Sequence, residues 1–264
     1  MLETIAPARL RPRQGWWVDL ALVAGFVALT IALINGHLLK VDDWVADWAL
    51  GHRSMPIYWI CRVFNYLGQG GQVLMPVAGI LAAALVWRTR SVRPVLPLLV
   101  AFVLTYVTIG PIKIWSRRGT PGFPGADHAM MFNPHASGPR VESYPSGHMG
   151  NSVVWYGVIA LLAVALLGRP LTGRETFLIR VLPAVILFCT MCYTGFHWVT
   201  DSVAGVLLGL FLIRLMARIA WDRVPLPSLG GWNRPAGLTP GREPPDAPPP
   251  PVREKDSEVV GQAR

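Results

Sequence analysis

Six apolar stretches constrain this chain more than any other feature of its sequence. They cover residues 17–39, 67–87, 95–115, 148–167, 177–196 and 199–219. A helix of about 20 mostly apolar residues spans the hydrocarbon of a bilayer. In lipid the backbone must satisfy its own hydrogen bonds, so such stretches are read as helices. The composition agrees, with 52% apolar and only 15% charged residues, where a soluble domain carries roughly a quarter charged. It also excludes a disordered chain, a collagen and a coiled coil. Three cysteines are too few for a disulfide framework. The formal charge of +9 would suit a nucleic-acid binder with basic solvated faces. Here Lys and Arg fall between apolar runs, so no nucleic-acid partner is expected. The expected fold is all-α: a polytopic membrane protein with a bundle of six transmembrane helices.

The second stretch is the weakest, because Gly68, Gly70, Gly71 and Pro76 dilute it. The first follows Arg9, Arg11 and Arg13 but is long and lacks a small-x-small cleavage site. It is therefore read as a retained anchor and not a signal peptide. Six spans put both termini on one side, and 17 of the 24 Lys and Arg fall on that side. The positive-inside bias makes it cytoplasmic. Four of the seven outer charges lie between Lys113 and Arg140, and all six histidines fall on the outer side. The expected location is the cell membrane, multi-pass, with an active site facing out.

Residues 1–14 are expected to form a cytoplasmic segment and 15–222 the six-span domain. The Pro-rich residues 223–264 are expected to be a disordered cytoplasmic tail. Val41, Trp44, Val45 and Trp48 repeat at helical spacing between Asp42, Asp43 and Asp47, which predicts a short interfacial helix with tryptophans at headgroup depth. Cys189 and Cys192 have C-x-x-C spacing but lie in an apolar span, and are read with Met191 as packing residues.

Three stretches carry candidate chemistry, and the topology brings them to one level. In residues 113–121 (KIWSRRGTP), Lys113, Arg117 and Arg118 form a cationic group, and Arg140 closes the same loop. Such a group serves either headgroup attraction or phosphate neutralisation. In residues 144–148 (YPSGH), Ser146 is a candidate N-cap, Gly147 lets a ligand approach the backbone, and His148 sits in the first turn. A helix beginning there offers free N–H groups and a positive dipole end to an anion. In residues 193–201, His197 and Asp201 are four apart and would share a helix face. The carboxylate would then fix the imidazole tautomer and leave a nucleophilic nitrogen. His148, His197 and Asp201 could in principle hold a metal, but no dense ligand motif supports one, so neither metal nor cofactor is expected.

Together these stretches resemble the three signatures of the type 2 phosphatidic acid phosphatase (PAP2) superfamily of membrane lipid phosphatases. The resemblance spans about residues 15–220. It implies that His197 attacks phosphorus to form a phosphohistidine, that Asp201 orients it, and that His148 is the general acid. It further implies phosphate contacts from Lys113, Arg118, Ser146 and Gly147. Two positions depart from the pattern: Thr120 and Met191 stand where the family signatures carry arginine. Arg117 and Arg140 are the nearby cations that could replace them. The expected activity is hydrolysis of a phosphomonoester or diphosphate on a membrane lipid, isoprenoid or phosphatidate-like. Alternatives are a lipid-linked phosphotransferase using the same phosphoenzyme, or a catalytically weak lipid-binding homologue. The sequence names neither the lipid nor an oligomeric state.

Overall fold

The computed structural model describes residues 15–124, 127–134, 141–227 and 230–238. Among these residues all regular structure is helical, and six helices are long and apolar enough to cross a membrane. The first span is α1 (Trp16–Ile34). Two shorter helices, α2 (Leu39–Gly51) and α3 (Met55–Phe64), run between it and the second span. That span covers Gly70–Thr89, a π turn (Gly70–Leu74) continuing into α4 (Met75–Thr89). The third is α5 (Leu96–Ser116), entered through a 3-10 turn, and the fourth is α6 (Gly147–Leu167). The fifth runs from a short α7 (Gly173–Thr176) through a second π turn into α8 (Leu182–Thr194). The sixth is α9 (Val199–Met216).

The spans α6 and α9 are the most buried of the six. In lipid, helices associate through close packing and not through water exclusion, so small residues gather where backbones meet. Gly150, Gly205 and Gly209 do this work here. A Cβ on Gly205 would stand 2.5 Å from the Ser146 carbonyl oxygen, and one on Gly209 3.0 Å from that of Gly150. Neither neighbour is a flexible side-chain tip. The core around this pair takes Leu74, Ala78 and Leu85 from the second span, Ala101 and Ile109 from α5, and Trp155, Val158 and Leu162 from α6.

At one end of the bundle α1 is tied to α9. Asp19 accepts hydrogen bonds from Arg214 (2.7 Å) and from Arg218. At the other end Thr30 hydrogen-bonds Tyr144 at 2.6 Å, fixing the segment that leads into α6. Tyr144 is fully buried, and burial pushes its phenol up to about 12.

The glycines that weaken the second apolar stretch have a positional reason. A Cβ on Gly68 would lie 2.9 Å from the His148 Cβ and 2.6 Å from Leu187, and one on Gly70 3.2 Å from Asn151. They let this end of the span close onto the start of α6.

The expected short helix is present as α2, with α3 following it, whereas the expectation of a free tail needs correction. On α2 Trp44 and Trp48 are exposed, whereas Asp42 and Ala49 are buried. The bulky residues face outward and the small or bonded ones inward. The tail is not wholly free of the core. Asn233 donates to the Arg90 carbonyl (3.0 Å) and Ala236 to Asp222 (2.7 Å), while Ala236 and Leu238 are buried beside Trp221. Residues 239–264 lie outside the described residues.

Replacing Gly205 with Ala should cost about 1–3 kcal/mol, the usual range for overpacking. The check is thermal unfolding of the detergent-purified variant. An unchanged transition would show that α6 and α9 do not meet as closely as described.

Candidate active site

Three chain segments converge where the spans end. Residue 113 lies in the last turn of α5, residues 147–148 begin α6, and residues 195–198 link α8 to α9. The start of α6 is made by its cap. The Ser146 side chain accepts from the Met149 amide (3.3 Å), leaving Gly147 and His148 in the first turn. Lys113 reaches this turn from α5: its Cε would lie 3.1 Å from a Cβ on Gly147, and its Nζ donates to the Glu142 carbonyl. The link carrying His197 turns at Gly195 (φ 70°), a left-handed conformation that a side chain resists. The His148 and His197 rings then stand 5.8 Å apart, centroid to centroid.

These groups line one cleft of about 640 Å³, together with Arg53, Tyr58, Asn151 and the glycines at 68, 70 and 71. His148 Nε2 is buried without a hydrogen-bond partner. An orphan donor or acceptor inside a polar cleft calls for an explanation, and a bound group supplies one. Among the described residues no cluster of His, Cys, Asp and Glu has the arrangement of a metal site.

Behind His197 lies a buried ionic network. Arg118 is fully buried and donates from Nη1 to Asp201 (2.6 Å) and Thr200 (2.8 Å), from Nη2 to Asp42 (2.6 Å), and from Nε to the Ala129 carbonyl (2.7 Å). Asp42, brought in by α2, also accepts from the Thr200 amide (3.0 Å) and hydroxyl (2.5 Å), so it closes the start of α9. Asp201 accepts from the Trp198 amide (3.1 Å) through Oδ2. The two carboxylates hold Arg118 above its ordinary range against the cost of burial. Burial pushes Asp42 up, opposed by Arg118 and Thr200.

His197 Nδ1 faces Asp201 Oδ2 at 3.6 Å, longer than a hydrogen bond. The carboxylate therefore acts on the ring through its charge. Burial outweighs that charge and holds the imidazole below its ordinary value near 6.5.

The family model for the PAP2 superfamily matches residues 94–225. The chain belongs to the PAP2 superfamily. It is 26% identical over 194 residues to phosphatidylglycerophosphatase B of Bacillus subtilis, covering 72% of this chain and 89% of that protein. It is 26% identical over 132 residues to the undecaprenyl-diphosphatase of Sulfolobus acidocaldarius, covering 50% of this chain and 57% of that one. The crystal structure of a transmembrane PAP2 type phosphatidylglycerolphosphate phosphatase from Bacillus subtilis superposes with a TM-score of 0.61 at 25% identity. It covers 75% of this chain and 94% of that one. As a PAP2 protein the chain is a hydrolase of phosphoric monoesters or diphosphates.

Within this PAP2 site the expected residues divide. Lys113, Gly147, His148 and His197 share the cleft, and Asp201 backs His197. Arg118 does not line the cleft, and all three nitrogens of its guanidinium donate to protein. Ser146 is fully buried, its hydroxyl capping α6 and its amide donating to the Asp201 carbonyl (2.9 Å). Neither is part of the cleft lining. Arg117 ends α5 in a left-handed conformation, exposed and outside the cleft lining. Arg140 lies outside the described residues. His197 and Asp201 do not share a helix face, since α9 starts only at Val199. Thr120 lines the cleft, whereas Met191 is buried against Met149 and Leu187.

Sequence reasoning missed Asp42 and Arg53. Asp42 had a signal: it lies seven residues before Ala49, on the small-residue face opposite the tryptophans. Arg53 had none, because only the tertiary fold carries the α2–α3 junction over the cleft.

Replacing Arg118 with Met should leave two buried carboxylates unpaired, at a cost of about 3–5 kcal/mol. Thermal unfolding in detergent is the readout. A loss under 1 kcal/mol would remove the network from the account.

Proposed function

We propose that this PAP2 protein is an integral membrane lipid phosphatase working through a phosphohistidine at the outer membrane face. The observation that carries the reading is the pair of imidazoles 5.8 Å apart in one cleft with Lys113 and the first turn of α6. Phosphoryl transfer asks for a nucleophile in line, an acid at the leaving oxygen and positive groups at the equatorial oxygens.

A lipid phosphate or diphosphate places its terminal phosphoryl group between the Gly147 and His148 amides and Lys113. Nδ1 of His197 faces Asp201, so Nε2 is the attacking atom. It forms an N–P bond as the bond from phosphorus to the leaving oxygen breaks. Asp201 stabilises the charge that the ring gains. The 3.6 Å gap fits a site in which such contacts tighten only on substrate binding. His148 gives its proton to the leaving oxygen. It then takes one from the water that displaces His197 and frees inorganic phosphate. The sum is lipid phosphate plus water giving lipid alcohol and phosphate, or lipid diphosphate plus water giving lipid monophosphate and phosphate.

The outward orientation is supported by the excess of Arg at the other end of the bundle, including Arg88, Arg90, Arg169, Arg214 and Arg218. The relatives named above act, by their names, on phosphatidylglycerophosphate and undecaprenyl diphosphate. Both are lipids with a terminal phosphoryl group, the class proposed here.

Purified protein should release phosphate from such lipids, and His197→Ala should release none above blank. Retained turnover in that variant would remove His197 as nucleophile. The lowered His197 value gives a pH prediction. A depressed value keeps the neutral, nucleophilic form populated as the medium acidifies, and activity is lost only when pH falls through it. The acid limb of kcat/KM should therefore lie below pH 6.5. A limb at or above that value would contradict the buried, neutral ring.

A further inference from the structure

The cleft presents a second cation that the mechanism above does not use. Arg53, at the junction of α2 and α3, lines the same cleft as Lys113, together with Tyr58, Gly122 and Gly195. Its Nη2 donates to the Tyr193 carbonyl (3.3 Å), and its guanidinium lies 5.4 Å from the Tyr58 ring centroid. Tyr193 holds the junction from both sides, accepting from the Ser54 amide (3.0 Å) and donating to the His52 carbonyl (3.0 Å). The arginine is therefore positioned, yet its charge is uncompensated. Among the described residues no carboxylate pairs with it, and its Nε is buried without an acceptor. This sets it apart from Arg118, Arg169, Arg214 and Arg218, each of which has a carboxylate partner.

A fixed, unpaired guanidinium with an orphan donor, lining a polar cleft, has the chemistry of a phosphate site. Its place in the cleft indicates which phosphate. Lys113 meets the start of α6 at Gly147. Arg53 lies beside the link that carries His197, its Nη2 3.2 Å from where a Gly195 Cβ would stand, two residues before that histidine. A cleft of about 640 Å³ is much larger than a single phosphoryl group.

We propose that Arg53 binds a second phosphate of the substrate, next to the one transferred, so that the cleft selects lipids carrying two phosphates over those carrying one. The inference rests on the phosphatase reading above and names its substrate class. The two sources of a second phosphate, a diphosphate and a phosphodiester one glycerol away, present the same anionic oxygens to the guanidinium.

The test compares kcat/KM of the purified full chain on an isoprenyl diphosphate and the monophosphate with the same tail, and again on phosphatidylglycerol phosphate and phosphatidate. His197→Ala is the blank. The wild type should favour the two-phosphate member of at least one pair, and the favoured pair identifies the source. Arg53→Gln should cut that preference about 10- to 100-fold, the range for a charge-assisted hydrogen bond, mainly through KM. Arg53→Lys should restore part of it. An unchanged ratio in Arg53→Gln, whether both substrates fall together or neither does, would overturn the proposal while leaving the phosphatase reading intact. Phosphate release by the wild type from none of the four lipids would instead sink that reading. Should Arg53→Gln fail to fold, inhibition of the wild type decides: pyrophosphate should inhibit at least tenfold more strongly than orthophosphate, and equal inhibition would reject the second site.

Discussion

One buried guanidinium holds this site together. Arg118 follows α5 and reaches both α2, through Asp42, and α9, through Thr200 and Asp201. Three distant parts of the chain are thereby tied at one point. Removing a charge from water is costly, and a buried pair is favourable only with full hydrogen bonding. Arg118 meets that condition through four partners at 2.6–2.8 Å. The network also borders the candidate site through Asp201. Asp201 faces His197 across 3.6 Å, while burial holds the ring below its ordinary value.

The membrane explains why the candidate site lies at helix ends. Within the hydrocarbon the backbone has no spare donors, so free N–H groups occur only where a helix starts. The first turn of α6 supplies them, with Gly147 leaving room for the Lys113 stem. The close α6–α9 contact through Gly205 and Gly209 places the start of α6 beside the start of α9. Ser146 donates its amide to the Asp201 carbonyl across this contact. Packing in the bilayer and alignment of the two imidazoles thus depend on the same small residues.

The spans were legible in the sequence because apolar length is a one-dimensional signal. The meeting of Lys113, His148 and His197 in one cleft was legible too, because each stands where an apolar run meets polar sequence. The partners of individual side chains were not legible. Arg118 reads as a phosphate ligand from its neighbours in sequence, and only its contacts with residues 76 and 83 positions away reveal a structural cation. Asp42 reads as a solvated charge on an interfacial helix until the fold turns that face inward. The relation of His197 to Asp201 was misread for a local reason: the helix begins two residues after the histidine, so four-residue spacing acts there through a capping turn and not a helix face.

The central claim is that one phosphoryl group is held between His197 and the first turn of α6. Its most direct test is a structure of the protein with vanadate, which takes the five-coordinate geometry of phosphorus in transfer. The account predicts vanadium bonded to Nε2 of His197, its equatorial oxygens on the Gly147 and His148 amides and Lys113, and His148 at the apical oxygen. Vanadium bonded to His148, or bound away from both imidazoles, would contradict it.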